Sequence, residues 1–156
     1  MVRIIFVAGI HGVGKTTYCQ KRSNIDKIPH YSASELIKKH VFLNGKNTEK
    51  IERNQNILYS AIAELKEEVI YLDGHFCLFN KEGKPEKIPK NIFEKLNIIS
   101  IVLLYGDLKE ILMRINKRDC SDYSIEKLEQ LQKNEIEYAE ELAKELEIPL
   151  KKIQIW

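Results

Sequence analysis

Apolar residues are concentrated in short runs along the chain, separated by longer amphipathic stretches. Four runs rich in β-branched and other apolar residues predict strands at Arg3–Ala8, 69–73, Ile98–Tyr105 and 152–156. The run Ile98–Tyr105 is almost continuously apolar, which is typical of a strand covered on both faces of a sheet. A weaker candidate strand lies at 27–31.

The stretches between these runs carry apolar residues at helical spacing. They predict helices at 15–22, at 33–42, from Thr48 to about Glu67, from Asp107 onward, and from Ser124 to Leu146. Thr48, Asp107 and Ser124 are the expected N-caps of the last three. Loops are expected at 80–90, which contains a glycine and two prolines, and at 117–123. Because strands and helices alternate, the chain predicts a parallel sheet with helices on both faces and right-handed crossovers.

Length and charge narrow the class of protein further. The chain has 156 residues, enough for one domain with its own core. Its 25 basic and 23 acidic side chains leave a net charge of +2, which gives no argument for a nucleic-acid or membrane partner. The three cysteines are widely spaced, so neither a disulfide framework nor a zinc site is expected. With no signal-peptide or membrane-spanning pattern, we expect a cytoplasmic protein.

Residues 9–16 read G-I-H-G-V-G-K-T and match the pattern G-x-x-x-x-G-K-[ST] at every fixed position. The motif follows a predicted strand and opens a predicted helix, where backbone N–H groups can surround phosphates. We expect the nucleotide-binding residues to be Gly9, His11, Gly12, Val13, Gly14, Lys15, Thr16 and Thr17. The less favoured interpretation is a glycine-rich turn that binds nothing.

Within this motif, three residues have specific expected roles toward ATP. Lys15 reaches the β- and γ-phosphates, the Thr16 hydroxyl binds Mg²⁺, and Thr17 contacts the α-phosphate. Asp73 ends an apolar run at 69–73, where an acid commonly serves as the second partner of the magnesium ion. The alternative for Asp73 is an ordinary residue opening an Asp-Gly turn.

Residues 116–119 read N-K-R-D, which matches the guanine-reading motif of GTPases. That motif should directly follow a buried strand, whereas here it ends a predicted helix, and the chain contains no D-x-x-G. We therefore reject the GTPase interpretation. Arg114 and Arg118 lie four residues apart on one helical face, and lead into a loop that can close over a nucleotide. Their alternative is a solvated basic face.

Taken together, the sequence resembles the nucleoside monophosphate kinases, and among them the archaeal-type adenylate kinases. The resemblance covers most of the chain and rests on G-I-H-G-V-G-K-T-T, Y-S-A-S-E, R-N-Q, V-I-Y-L-D-G-H-F, I-L-M-R-I and N-K-R-D, in that order. It implies a three-layer α/β/α P-loop fold with a five-stranded parallel sheet. It also implies ATP-dependent phosphate transfer to a nucleoside monophosphate, with acceptor-binding helices at about 32–67 and a short lid at about 114–124.

The resemblance also implies a set of acceptor-binding residues: Ser32, Ser34, Arg53, Gln55 and His75. Lys15, Arg114 and Arg118 would then be catalytic. The chain departs from the family pattern at His11, where proline is common, and at Asn134 and Glu135, where the last helix can carry a further arginine.

Two other functions are also compatible with the sequence. A P-loop kinase of a hydroxyl group, on a small metabolite or a nucleic-acid end, would need a carboxylate base, for which Glu35 is available. The simpler interpretation of Glu35 is a capping box with Ser32 at the start of the helix. A nucleotide-binding regulatory ATPase would turn over slowly and assemble with a partner chain. The last helix is rich in Glu and Lys, which indicates a solvated face beside an apolar stripe. The sequence does not decide whether the protein is a homo-oligomer.

Overall fold

The computed structural model describes residues 1–44, 51–79, 82, 84–119 and 124–155, without the side chains of 40–44, 51–54, 78, 79, 118 and 119. In chain order the elements are β1 (Arg3–Ala8), α1 (Lys15–Asp26), β2 (His30–Ser32), α2 (Ala33–Asn44), α3 (Ile51–Ala63), β3 (Val69–Gly74), β4 (Cys77–Phe79), β5 (Pro85–Lys87), α4 (Lys90–Lys95), β6 (Ile98–Tyr105), α5 (Leu108–Asp119), α6 (Ile125–Leu146) and β7 (Leu150–Gln154).

Five strands form one parallel sheet in the order β2-β3-β1-β6-β7, as the resemblance implies. β1 lies at the centre, with β3 on one side and β6 on the other. Helix α1 packs against β1, β2 and β3, whereas α6 packs against β6 and β7. The predicted three-layer α/β/α class is therefore confirmed, and the carboxyl ends of the central strands meet at one edge of the sheet.

The core beneath this edge contains a cluster of aromatic side chains. The rings of Phe6 and Phe76 stack with centroids 5.0 Å apart, and Phe93 meets Phe76 edge-on at 5.0 Å. Tyr138 of α6 stacks on Phe76 at 5.7 Å, and its hydroxyl donates to the carbonyl of Ile88. Each ring lies within the range in which aromatic pairs attract one another. The cluster joins β1, the segment after β3, α4 and α6.

Several predicted boundaries were wrong. Helix α1 continues beyond 22 to Asp26, because Arg22 forms an i,i+4 ion pair with Asp26 at 2.9 Å, and it ends where Lys27 adopts φ of 58°. The weak strand expected at 27–31 lies at His30–Ser32, and the last strand at Leu150–Gln154 rather than 152–156. Helix α3 ends at Ala63, and its predicted cap, Thr48, lies outside the described residues.

The loop expected at 80–90 was wrong in part. β5 lies within this range and pairs antiparallel with β4, which precedes it, and α4 begins at Lys90. Few residues in this segment are apolar, but Ile88, Ile92 and Phe93 are all buried, which fixes the segment on the core. At the other expected loop, 117–123, α5 continues to Asp119, and residues 120–123 lie outside the described part of the chain.

The predicted helix caps at Asp107 and Ser124 are confirmed. The Oδ1 of Asp107 accepts from the N–H of Lys109 at 2.8 Å, and the Oγ of Ser124 accepts from the N–H of Lys127 at 3.2 Å. Both bonds satisfy a backbone donor that has no partner within the first helical turn.

Candidate active site

The glycine-rich loop lies between β1 and α1, where the sequence predicts it. β1 ends at Ala8 and α1 begins at Lys15, so residues 9–14 form the connection. Gly12 and Gly14 have φ of 86° and 106°, a region that side chains disfavour. A Cβ at Gly12 would also lie 2.6 Å from Cγ1 of Ile115 in α5. Position 12 therefore requires glycine for its backbone conformation and for its packing.

Lys15 is 9 % exposed, and its ammonium lies over this loop. Its Nζ donates to the carbonyl oxygen of Gly9 at 2.8 Å and to that of Ile10 at 3.2 Å. Thr16 and Thr17 are exposed on the first turn of α1, where backbone N–H groups lack acceptors within the helix. A cationic side chain, hydroxyl groups and a helix N-terminus therefore converge, an arrangement suited to a polyphosphate.

Two further residues of the predicted nucleotide site have different surroundings. Val13 is fully buried, and its N–H donates to the carbonyl of Ile10 at 3.2 Å, so it holds the shape of the loop. His11 is half-buried. Its positive charge, when protonated, acts on His75 and lowers the pKa of that ring.

The predicted arginines can be followed only in part. Arg114 is half-buried on α5, and its Nη1 would lie 3.9 Å from a Cβ built at Gly14. The guanidinium is therefore beside the glycine-rich loop, as a phosphate-contacting residue should be. The side chains of Arg53 and Arg118 lie outside the described residues.

Asp73 lies near the carboxyl end of β3, beside the strand that leads into the loop. The register pairs Asp73 with Val7 and Gly74 with Ala8. Asp73 is 6 % exposed, and its Oδ2 lies 2.5 Å from Nε2 of His30, the first residue of β2. Sequence reasoning missed His30, because a single histidine on a short, weakly patterned strand gives no signal.

A cavity of about 400 Å³ opens beside Asp73. Its lining is mainly apolar, with a few polar side chains, as is common in small-molecule sites. The polar lining residues are Ser34, Lys38, Gln55, Asp73 and His75. Of the predicted acceptor residues, Ser34, Gln55 and His75 therefore share this cavity. The hydroxyl of Ser32 lies 3.0 Å from that of Ser34, at the end of β2.

His75 lies between this cavity and the glycine-rich loop. Burial lowers the pKa of His75 well below its ordinary value, and the charges of Lys15 and His11 lower it further. A hydrogen bond with the backbone of Gly9 acts in the opposite direction. Its Nδ1 is buried and has no hydrogen-bond partner within the described part of the chain. The ring is therefore neutral at pH 7, with one buried nitrogen available to a ligand.

Glu135 of α6 is a buried carboxylate that the sequence interpretation placed on a solvated face. It is 1 % exposed, and its oxygens accept from the N–H of Phe76 at 2.7 Å and of Cys77 at 2.8 Å. Its spacing from Leu131 and Tyr138 puts it on the apolar stripe of the helix, a signal that could have identified it. Burial raises the pKa of Glu135 to about 7, although the two N–H donors and Lys15 lower it.

This raised pKa makes the free energy of unfolding depend on pH. Between about pH 4.5 and pH 7, folded Glu135 retains a proton that the unfolded chain has lost. Its stabilising contribution is therefore fully present below about pH 4.5 and is lost as the pH rises toward 7. We expect Glu135→Gln to abolish this decline. Urea unfolding of parent and variant at pH 5 and pH 7.5 measures it, and a parent-to-variant difference that is the same at both pH values would contradict it.

Comparison with known proteins places this chain in a family. The AAA domain family matches residues 8–132 of the chain, from the end of β1 into α6. An adenylate kinase of Sulfurisphaera tokodaii is 29% identical over 150 residues, which cover 81% of this chain and 77% of that protein. Adenylate kinase 1 of Schistosoma mansoni is 30% identical over 118 residues, 72% of this chain, and the match spans only 60% of that relative's length.

Solved structures share the fold. A gluconokinase from Sinorhizobium meliloti 1021 superposes with a TM-score of 0.55 at 15% identity, covering 99% of this chain and 82% of that one. The Thermus thermophilus protein TT1252 also has a TM-score of 0.55, at 14% identity, covering 99% and 89%. Among the described residues, every helix is too short or too polar to traverse a bilayer.

The family match over residues 8–132 and the similarity to two adenylate kinases assign the chain. It belongs to the AAA domain family, as a P-loop kinase similar to the nucleoside monophosphate kinases.

Proposed function

We propose that this chain transfers the γ-phosphate of ATP to a nucleoside monophosphate. The observation that carries the proposal is the placement of the cavity directly beside the glycine-rich loop. Asp73 and His75 line the cavity and also lie close to the loop. Phosphate transfer requires donor and acceptor to be held together in line, so two adjoining sites are the necessary geometry. The similarity to proteins named adenylate kinase supports the same acceptor class.

In this proposal the loop and α1 hold ATP. Gly9, Gly12 and Gly14 allow the backbone to surround the phosphates, and the Lys15 ammonium exchanges its two carbonyl partners for the β- and γ-phosphates. Arg114, beside Gly14, adds positive charge on the side where the lid begins. Residues 114–124 remain the proposed lid, with Arg118 as its second cation.

The residues present fit a magnesium ion. The Thr16 hydroxyl, exposed at the start of α1, and the Asp73 carboxylate, at the end of β3, are the hard oxygen donors that Mg²⁺ prefers. They would hold the ion beside the loop. When bound, magnesium neutralises charge on the β- and γ-phosphates.

The cavity is the proposed acceptor site, walled by α2 and α3 within the segment 32–67. Ser34 and the buried Nδ1 of His75 offer polar contacts, while Leu58 and Phe93 provide apolar surface. Arg53, two residues before Gln55 on α3, is the proposed clamp for the acceptor phosphate. A phosphate acceptor is already ionised, so it needs such cations and no general base.

The test is incubation with ATP, Mg²⁺ and a panel of nucleoside monophosphates, with separation of the products. Formation of a nucleoside diphosphate from at least one acceptor is expected in the parent and is lost in Lys15→Ala. If ATP is bound but no monophosphate is converted, the proposed acceptor class is wrong.

Gln55 provides a sharper check on the acceptor site. It is 6 % exposed and lines the cavity on α3. We expect Gln55→Ala to raise the KM for the acceptor about tenfold, since one hydrogen bond to a buried polar ligand group contributes roughly 1–2 kcal/mol, while the KM for ATP stays unchanged. Asn56→Ala, an exposed neighbour on the same helix, is the matched control. An equal rise in both KM values would show that Gln55 has no role specific to the acceptor.

A second candidate, transfer to a hydroxyl, is favoured by one observation. Asp73 is a lining residue of the cavity, and an alcohol acceptor needs a carboxylate base within hydrogen-bond reach. Phosphorylation of hydroxyl compounds, with none of the monophosphates, would support it. Slow ATP hydrolysis without any phosphorylated acceptor would instead favour a regulatory ATPase.

A further inference from the structure

Three side chains of different ligand chemistry converge beneath the glycine-rich loop. They are Cys19 of α1, His30 of β2 and Asp73 of β3. One ligating atom of each, the cysteine Sγ, a histidine ring nitrogen and a carboxylate oxygen, lies within 4.8 Å of the other two. Cys19 is fully buried, whereas the side chains of His30 and Asp73 are 14% and 8% exposed. None of the three is close to another in sequence.

The fold brings them together through the parallel pairing of β2 and β3. His30 lies opposite Tyr71, and residues two apart on a strand share a face, so His30 and Asp73 project from the same side of the sheet. Tyr71, on that same side, donates from its hydroxyl to Asp26 of α1, which identifies the face that α1 covers. Cys19 reaches the two strands from this helix.

The donor set is that of a thiophilic cation. Thiolate, imidazole and carboxylate together suit Zn²⁺, whereas Mg²⁺ and Ca²⁺ take oxygen ligands. Ligands of one tetrahedral zinc ion stand roughly 3.3–3.7 Å apart, given bond lengths of about 2.0–2.3 Å. All three ligand atoms lie within 4.8 Å of one another, and the 2.5 Å contact between His30 and Asp73 must open by about 1 Å to admit the ion.

An ion can reach this cluster. Asp73 lines the cavity of about 400 Å³, and the side chains of His30 and Asp73 are both partly exposed, so the cluster borders on solvent. Three protein ligands also leave a fourth coordination position open for water. Such a site differs from the closed four-ligand sites that have only a structural role.

We propose that Cys19, His30 and Asp73 form a binding site for a thiophilic divalent cation such as Zn²⁺, and that filling it withdraws Asp73 from magnesium-nucleotide. The binding site stands on the cluster itself, while the withdrawal of Asp73 rests on the proposed function. Zinc bound beneath the glycine-rich loop then inhibits the phosphotransferase.

Titration of the purified protein with Co²⁺, a spectroscopic substitute for Zn²⁺, tests the site. We expect one equivalent to bind with a sulfur-to-cobalt charge-transfer band, which Zn²⁺ removes by displacement. Cys19→Ala should abolish the band, and His30→Gln should weaken binding about tenfold or more. Cys77→Ala and Cys120→Ala are matched controls that should retain it.

Absence of the band in the parent, or its retention in Cys19→Ala, overturns the site. Circular dichroism verifies the fold of each variant. If Cys19→Ala does not fold, His30→Gln becomes the test. An unchanged affinity of His30→Gln for Co²⁺ then overturns the site.

The effect on nucleotide binding is measured separately. Protein loaded with one equivalent of Zn²⁺ and freed of excess ion should bind Mg–ATP about tenfold more weakly than the zinc-free protein, and Cys19→Ala treated identically should show no difference. Cobalt binding with unchanged affinity for Mg–ATP overturns the withdrawal of Asp73. Cobalt binding in a protein that never binds ATP refutes the proposed function and leaves the cation site in place.

Discussion

Replacing Lys15 with alanine is expected to lower phosphoryl transfer at least about 100-fold, the usual effect of removing one preorganised donor from developing charge. The Nζ of Lys15 is held by the carbonyls of Gly9 and Ile10, at 2.8 Å and 3.2 Å, directly over the loop. Alanine leaves those carbonyls without the ammonium and removes a full positive charge from the proposed phosphate site. The fold should persist, because Lys15 is not a member of the hydrophobic core.

Thermal unfolding with and without Mg–ATP provides the measurement. At a ligand concentration 100 times the dissociation constant, the parent should gain about 2.7 kcal/mol of stability. Lys15→Ala should gain little, and Thr16→Ala should also lose most of the gain if its hydroxyl holds magnesium. Lys21→Ala, an exposed lysine of the same helix, is the control. An undiminished gain in Lys15→Ala would refute the assignment of the loop.

Replacing Glu135 with alanine is expected to destabilise the fold by about 2–6 kcal/mol. The carboxylate accepts from two buried backbone N–H groups, those of Phe76 and Cys77, and each donor left without a partner costs about 1–3 kcal/mol. The same change should loosen the segment that begins at His75. Activity is therefore expected to fall further than the unfolded fraction alone predicts.

Urea unfolding measures the change in stability, with Glu137→Ala as the matched control, since Glu137 is exposed two residues along the same helix. Glu135→Gln keeps the size of the side chain and changes its number of acceptor oxygens, because an amide provides one acceptor where the carboxylate provides two. We expect glutamine to be intermediate between parent and alanine. Equal stability of Glu135→Ala and Glu137→Ala would mean that the buried bonds contribute nothing measurable.

The parts of the fold that were predictable are those whose signal is local. β1, the glycine-rich loop and the start of α1 follow from adjacent residues, and β6 from one apolar run. The end of α1 was missed because it depends on the ion pair between Arg22 and Asp26 rather than on the apolar pattern. The hairpin of β4 and β5 was missed because its few apolar contacts are made with α6, which is distant in sequence.

The residues of the candidate site also differ in how far the sequence could predict them. Its motif residues are predictable from spacing, and Ser34, Gln55 and His75 were placed together through resemblance to a family. His30 was not predictable from local pattern, whereas the helical spacing of Glu135 could have marked it as buried; the partner of each lies on another element and has no signal in the sequence. The cysteine spacing gives no indication of the proposed cation site for the same reason, because a ligand set assembled from three elements has no characteristic spacing in the sequence.

The central place of β1 in the sheet also bears on how the protein is made. Arg3 pairs with Val69 and Ile4 with Ile98, so β1 has no partner in the sheet until β3, much later in the chain, has been synthesised. Nascent β1 therefore stays apolar and unpaired until β3 follows, and gains its second partner only when β6 follows. Such long-range pairing slows folding and exposes the strand to aggregation. Chaperone demand during synthesis should accordingly be set by the interval before Ile98–Tyr105 appears.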